Sequence, residues 1–379
     1  MGRRRRVRPQ PADRRPGRPQ RERESGPHLP PASTAAAAQR RRREDGGAAR
    51  GPGAGAEGRV AGGEALRRGG QGARPPRQPR LRSGRYPPGG ALDEALTPRV
   101  RRVPVRGIEL SIREWSGPGR PFLLVHGLAS NARTWDRVAR RLSAAGHYTV
   151  AVDQRGHGLS DKPAAGYGFE DVTADLEALI EALAMRRPVI AGQSWGGNVV
   201  LAFGAASPHL TSGLVLVDGG FIDLSAAPGA TWESVAQNLR PPDLTGRSAE
   251  HLKQWMRDAH PRWDDEQIEM QFGNLEVLVD GSVRRRLSLD NHMAILQAMW
   301  QQKPSRLYGL VKAPVLIAVA DSGDEERRRR RLEEIERAMR VLPRAQMRRF
   351  EGADHDIHVD QPDALADWVL GALSEGFFG

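Results

Sequence analysis

A series of short apolar segments, separated by stretches with helical periodicity, is the feature that most constrains the fold of this 379-residue chain. Such alternation is typical of a mainly parallel sheet whose two faces are covered by helices. The sequence therefore predicts an α/β fold. The predicted strands are FLLVHG (122–127), YTVAVD (148–153), PVIAGQ (188–193), GLVLVD (213–218), PVLIAVA (314–320) and the weaker AQMRRFEG (345–352), and helices are predicted near 131–145, 169–184, 195–206, 325–341 and 362–374. A β-hairpin around Gly107, formed by residues 100–115, precedes them.

Composition separates the first 95 residues from the rest of the chain. Residues 1–99 hold 24 Arg and 9 acidic residues, a net charge of +15, which leaves 34 basic and 37 acidic residues for the remainder. Residues 1–95 are rich in Arg, Pro, Gly and Ala and poor in core-forming side chains, so they are predicted to be disordered. Their only aromatic residue is Tyr86, and without bases stacking on aromatic rings no nucleic-acid partner is expected.

The spacing of the predicted strands breaks once, between Asp218 and Pro314. About 95 residues separate these positions, far more than a crossover between neighbouring strands needs. The sequence therefore predicts a helical cap inserted at 221–310 into a core formed by 96–220 and 311–379. Helical periodicity is found at 248–260, 264–280 and 287–302. The Trp and Met residues of the insertion either fill a small core or line an apolar pocket, and Trp300 or Met299 is expected to influence substrate preference.

The sequence GQSWGG (192–197) follows an apolar strand and precedes a helical stretch. A serine on such a tight strand-to-helix turn projects its hydroxyl out of the sheet, and flanking glycines avoid steric clashes. The first backbone N–H groups of the following helix point toward the same place. Ser194 is therefore the predicted nucleophile, and the N–H of Trp195 is predicted to stabilise an oxyanion.

Two further motifs, LLVHGLASNARTW (123–135) and VAVDQRGHGLSDKP (150–163), extend this pattern. Together with the serine turn, they make residues 100–375 similar to the α/β-hydrolase superfamily, and specifically to its capped esterase-like members. The resemblance implies that the N–H of Leu128 is the second oxyanion donor. It also implies that the loop containing His157 is structural.

The general base is expected near the carboxyl terminus, because the chain order in this fold is nucleophile, acid, histidine. His355, in GADHDIHVDQP (352–362), is the predicted base, and His358 is expected to pack beneath the loop. The acid must reach the second nitrogen of the histidine from the end of a strand. The sequence favours Asp324, with Asp321 and then Asp218 as alternatives.

The expected function is hydrolysis of a small, fairly apolar ester or related acyl compound through an acyl-enzyme intermediate. Cleavage of a carbon–carbon bond in a diketone-like compound and ligand binding without turnover are the alternatives. The chain contains no cysteine, and no dinucleotide fingerprint, phosphate loop or metal-binding cluster is recognisable, so no cofactor is expected. A small-molecule substrate, no membrane partner and a cytoplasmic location complete these expectations.

Overall fold

Eight strands form one sheet in the computed structural model, which describes residues 97–321, 323 and 325–379. The predicted disordered tail, 1–95, lies outside the described residues. Along the whole described chain the strands are β1 Arg99–Val105, β2 Ile108–Trp115, β3 Gly119–Val125, β4 His147–Val152, β5 Val189–Gln193, β6 Gly213–Val217, β7 Leu275–Val277, β8 Val283–Arg285, β9 Val315–Ala320 and β10 Ala345–Phe350. The order in the large sheet is β1-β2-β4-β3-β5-β6-β9-β10.

The large sheet is mainly parallel, as predicted. Strands β1 and β2 form the antiparallel hairpin around Gly107, β2 is also antiparallel to β4, and all other neighbours are parallel. Every residue of β5, β6 and β9 is buried. Burial on both faces explains why these strands are continuous apolar runs instead of alternating patterns. The α/β fold class predicted from the sequence is confirmed.

Helices cover both faces of the sheet. The α-helices are α1 Asp136–Ala144, α2 Phe169–Ala182, α3 Trp195–Ala206, α4 Trp232–Asn238, α5 Ala249–Ala259, α6 Asp265–Phe272, α7 Leu289–Gln301, α8 Glu325–Val341, α9 Ile357–Asp360 and α10 Pro362–Ser374. One core cluster includes apolar residues of α2, α3 and α8, and a second includes residues of α1 and α10. None of the helices in the described residues is both long and apolar enough to cross a membrane.

Helices α4–α7 and the hairpin β7–β8 all lie between β6 and β9. Helices α5 and α6 and this hairpin share a small core, which includes Leu252, Ile268, Phe272 and also Val359 of α9. Apolar residues of α7, such as Leu296, instead belong to the first core cluster. The helix predicted for 264–280 ends at Phe272, and β7 and β8 follow it. That part of the prediction is wrong, because an Asp-Gly turn signal at 280–281 directs the chain into a hairpin.

Candidate active site

Ser194 occupies the single residue between the end of β5 and the start of α3. Its backbone has φ 54° and ψ −121°, a conformation that costs a residue with a side chain about 1–3 kcal/mol. The N–H of Ser194 donates to the carbonyl of Val217, at 3.0 Å, so the neighbouring strand β6 fixes the turn. The turn places Ser194 at the carboxyl edge of the sheet, as the sequence predicts.

Two glycines allow this turn to form. A Cβ atom on Gly192 would lie 2.2 Å from the carbonyl oxygen of Gly196, and a Cβ on Gly196 would lie 2.4 Å from the carbonyl oxygen of His126. Both distances are far shorter than any real carbon–oxygen contact, and the obstructing atoms are backbone atoms that cannot rotate away. The strand and helix approach each other this closely only because these positions have no side chain.

His355 lies between β10 and α9, and its ring contacts a carboxylate. Nδ1 of His355 lies 2.7 Å from Oδ2 of Asp218. Burial lowers the pKa of His355, but the hydrogen bond to Asp218 and the charge of that carboxylate outweigh burial, so the pKa is raised above its usual value. With Nδ1 donating to Asp218, Nε2 is the nitrogen that remains free to accept a proton.

Asp218 directly follows β6, and its side chain is 3 % exposed. Its Oδ1 accepts the N–H of Ala320, at 3.1 Å, and both carboxylate oxygens lie 3.3 Å from Nη1 of Arg331. Burial raises the pKa of Asp218, but hydrogen bonding to His355, together with the charges of His355 and Arg331, gives a net lowering. Asp218 is therefore an ionised carboxylate held in a fixed position beside the imidazole.

The carboxylate that contacts His355 is Asp218, the last of the three alternatives that the sequence offers. Asp324, the residue that the sequence favours, lies outside the described residues. Asp321 makes different contacts, because Nη2 of Arg349 donates to its Oδ1 at 2.6 Å and Nη1 of Arg328 lies 3.8 Å from the same atom. Because β6 and β9 are parallel neighbours, a residue that follows either strand reaches the same edge of the sheet, so a carboxylate after β6 can contact His355.

Arg331 belongs to a run of five arginines, 327–331, near the start of α8. Two neighbours form ion pairs along the helix surface, Arg330 with Glu326 and Arg329 with Glu333. Arg331 instead points inward, where Nη1 contacts Asp218 and Nη2 donates to the carbonyl of Ala320 at 2.6 Å. Sequence analysis missed this contact, because Arg331 is one of several consecutive arginines and its residue type does not show which of them faces inward.

Four of the predicted site residues line one cavity, which has a volume of about 90 Å³. They are Leu128, Ser194, Trp195 and His355. Trp195 is the first residue of α3, where backbone N–H groups have no partner inside the helix. Most of the other lining residues lie between β6 and β9. The apolar ones there are Ile222, Leu224, Leu239, Leu296 and Met299, the polar ones there are Gln271 and His292, and Ser130, Gln193 and Asp356 come from other parts of the chain.

Of the two residues expected to influence substrate preference, Met299 lines this cavity. Trp300 does not belong to the lining; its ring packs against that of Trp232, with centroids 6.5 Å apart. Adjacent residues on a helix point about 100° apart, so they seldom reach one cavity together.

Asp356 and Gln193 form a second polar contact beside the cavity. Nε2 of Gln193 donates to Oδ1 of Asp356, at 3.0 Å, and to the carbonyl of His355, at 3.2 Å. Burial raises the pKa of Asp356 to about 6. The amide therefore ties the loop that holds the imidazole to the strand that precedes the serine. Sequence analysis did not identify this pair.

The loop 153–163 has a structural role in this geometry. Asp153 accepts the N–H groups of Ala132 and Leu159, at 2.7 and 2.9 Å. His157 is buried, accepts the N–H of Ala129 at Nε2, and stacks on Trp195 with ring centroids 5.4 Å apart. The carboxylate of Asp153 and the imidazole of His157 thus stabilise neighbouring loops through these contacts.

His358 is fully buried, and its ring lies 4.5 Å from that of Trp135. It therefore packs beneath the loop, as expected. Within residues 97–321, 323 and 325–379, no three His, Asp or Glu side chains come together in a way that could hold a metal ion.

Comparison with known proteins agrees with this fold. The sequence model of the alpha/beta hydrolase family matches residues 122–368, more than half of the chain. The chain belongs to this family. The match includes the serine turn, Asp218 and His355.

Individual relatives within the family match shorter parts of the chain. A 2-(acetamidomethylene)succinate hydrolase from Mesorhizobium japonicum is 40% identical over 118 residues, which are 31% of this chain and 42% of the relative. A non-heme chloroperoxidase from Streptomyces lividans is 37% identical over 114 residues, 29% of this chain and 41% of the relative. The chain spans less than half the length of these curated relatives.

Solved structures match over a longer range. The crystal structure of E-2-(acetamidomethylene)succinate hydrolase has a TM-score of 0.62 and 24% identity, and the match covers 73% of this chain and 99% of that one. A thermophilic esterase from Thermogutta terrifontis has a TM-score of 0.56 and 23% identity, with 73% and 98% covered. At this level of identity the two structures establish the shared fold.

Proposed function

We propose that this protein is a serine hydrolase in which Ser194, His355 and Asp218 act as nucleophile, general base and acid. The observation on which this rests is the 2.7 Å contact between His355 Nδ1 and Asp218 Oδ2, beside a cavity that Ser194 also lines. An ionised carboxylate in this position fixes the imidazole tautomer and stabilises the imidazolium ion that forms during the reaction.

The reaction begins when Ser194 Oγ attacks the carbonyl carbon of the substrate and its proton passes to Nε2 of His355. The backbone N–H groups of Leu128 and Trp195 stabilise the resulting oxyanion. The tetrahedral intermediate collapses, the proton on Nε2 moves to the leaving group, and an acyl-enzyme remains. Water then attacks the acyl carbon, gives a proton to Nε2, and the acid product leaves as Ser194 regains that proton.

The substrate we propose is a small acyl compound, most simply an ester. The cavity of about 90 Å³ has room for a small group beside Ser194, and its apolar lining favours carbon chains. Residues 221–310 supply most of that lining, so we propose that they act as a cap that determines substrate preference. A relative named as a hydrolase supports hydrolysis, and another is named as a chloroperoxidase.

Labelling with a fluorophosphonate probe tests this proposal, because such probes react with activated serines. The unmodified protein should be labelled and should hydrolyse p-nitrophenyl acetate. Ser194→Ala should lose the label, and its kcat should fall by a factor on the order of 10⁴ or more. Its melting temperature should stay close to that of the unmodified protein. Ser305→Ala, a substitution of an exposed serine, is the matched control. Labelling of Ser194→Ala at the native rate would refute the assignment of the nucleophile.

A further inference from the structure

A second, smaller cavity adjoins the one that Ser194 lines. The two cavities share Ser130 and His292 in their linings. The second cavity has a volume of about 10 Å³, which is room for one group the size of a water molecule or a carboxylate oxygen. Arg285, Arg286 and Asn274 also line it, so hydrogen-bond donors predominate.

Arg285 is a half-buried cation without a bonded counter-charge. Its Nη2 donates to the carbonyl of Pro242, at 2.9 Å, and in the part of the chain that the structure describes no carboxylate lies within 4 Å of its guanidinium. Burial lowers the pKa of Arg285, and only the more distant charge of Asp243 opposes this effect. Buried charges are normally paired, because removing an ion from water is costly. This guanidinium therefore has unused capacity to bind an anion.

Two further cations stand close to the second cavity. Arg286 Nε donates to the carbonyl of Leu275, at 3.1 Å, and Lys162 Nζ donates to the carbonyls of Gly158 and Ser160, at 3.0 and 2.7 Å. Burial and the charge of Arg286 lower the pKa of Lys162. Both side chains are bonded to neutral carbonyl groups, so their positive charges reinforce that of Arg285.

The carboxylates near these cations are committed to other donors. Glu276 accepts from Nε of Arg284, at 2.7 Å, and Asp153 accepts two backbone N–H groups. Asp243 accepts from the hydroxyl and N–H of Thr245, at 2.7 and 2.9 Å, and Asp161 from the N–H of Glu109 and from Arg102. His292 adds no charge, because burial lowers its pKa to about 4. These carboxylates keep their negative charges, but none of them bonds to Arg285, so the guanidinium remains available to an anion in the second cavity.

We propose that the second cavity is a subsite for a carboxylate of the substrate, with the guanidinium of Arg285 as its principal ligand. The proposal rests on the hydrolase function proposed above and narrows its substrate class. The scissile carbonyl binds beside Ser194, an apolar chain crosses the lining near Leu296 and Met299, and a carboxylate at the far end of the acyl chain binds Arg285. A half-ester of a dicarboxylic acid has this chemistry.

The test compares p-nitrophenyl half-esters of succinic, glutaric and adipic acid with neutral p-nitrophenyl esters of the same chain lengths. The unmodified protein should hydrolyse one of the half-esters with a kcat/KM at least about tenfold above its neutral counterpart, because an ionic hydrogen bond is worth about 1.5–3 kcal/mol. In Arg285→Gln this preference should fall about ten- to a hundredfold, mainly through KM.

Arg257→Gln is the matched control, since Arg257 belongs to the same inserted segment and pairs with Glu250 and Asp265 at the surface. It should keep the preference for the half-ester. If Arg257→Gln and Arg285→Gln lowered the preference equally, or if the unmodified protein showed no preference for any half-ester over its neutral counterpart, the subsite would be refuted. Hydrolysis of neutral esters with no half-ester preference overturns only the subsite, whereas failure to hydrolyse any ester or to react with the probe overturns the hydrolase function itself.

Inhibition of the unmodified protein provides a measurement that does not depend on a variant folding. Glutarate should compete with p-nitrophenyl butyrate at concentrations at least about tenfold lower than those at which glutaramide, its neutral analogue, competes. Arg285→Lys, which keeps the charge, should retain part of this difference. Equal inhibition by glutarate and glutaramide would overturn the subsite.

Discussion

The carboxyl edge of the sheet and the segment between β6 and β9 contribute to one cavity in different ways. At the sheet edge, Ser194 and Asp218 are fixed by backbone hydrogen bonds, and glycines bring strand and helix so close that no side chain fits. The inserted segment contributes apolar side chains such as Leu296 and Met299. Backbone geometry therefore fixes the positions of Ser194 and Asp218, whereas exchangeable side chains determine the shape of the cavity beside them.

This contrast gives different expectations for substitutions in the two regions. A change at the sheet edge should lower turnover of all substrates by a similar factor, because in the proposed mechanism the same three groups act on each of them. A change in the inserted segment should alter the ranking of substrates and leave the chemistry largely intact.

The largest effect in these experiments is expected for Asp218→Asn. The amide cannot stabilise the imidazolium of His355, so kcat should fall on the order of 10³- to 10⁴-fold for short and long p-nitrophenyl esters alike. Asp321→Asn is the control, because that carboxylate pairs with Arg349 and should cost less than about tenfold. A mild effect of Asp218→Asn combined with a large effect of Asp324→Asn would restore the role to Asp324.

A smaller effect is expected for Arg331→Met, through the pH dependence of kcat/KM. The charge of Arg331 lowers the pKa of His355, so its removal should raise that pKa. Because the base must be neutral to accept a proton, the acid limb of the pH profile should move to higher pH, and turnover at pH 6 should fall by roughly tenfold or less.

Arg330→Gln is the matched control for this measurement, since Arg330 pairs with Glu326 on the exposed side of the same helix. Its pH profile should coincide with that of the unmodified protein. An acid limb that moved to lower pH in Arg331→Met would contradict the electrostatic role of Arg331.

The smallest effect is expected for Met299→Ala, which enlarges the cavity beside Ser194. The ratio of kcat/KM between a longer and a shorter p-nitrophenyl ester should change by about three- to tenfold. Met256→Ala is the control, because Met256 belongs to the separate core of the inserted segment; it should lower stability by about 2–5 kcal/mol and leave the ratio unchanged. An unchanged ratio in Met299→Ala would argue against the cap proposed for 221–310.

The sequence predicts the sheet, and it marks two residues of the candidate site, for identifiable physical reasons. Strands such as β6 are buried on both faces, so they form unbroken apolar runs that are easy to recognise. Ser194 and His355 are each marked by local sequence, namely flanking glycines and a position shortly after the last strand. Local signals of this kind can be recognised in a single sequence without an alignment.

The partner of His355 could not be predicted in the same way. Asp218 and Asp321 both follow buried parallel strands, and β6 and β9 are adjacent, so strand order alone does not separate them. The choice depends on the conformation after β6, where Asp218 has a φ of 43°, and on the inward turn of Arg331. The three-residue strands β7 and β8 are likewise too short to show a period.

The backbone of Ser194 has a consequence for how this sequence can evolve. At φ 54° a glycine would relieve most of the strain of about 1–3 kcal/mol. The fold with serine at position 194 is therefore less stable than the same fold with glycine there would be. Only selection for turnover maintains such a residue. A lineage that kept this fold after losing the reaction would be expected to drift toward glycine at position 194, and the remaining glycines would preserve the shape of the turn.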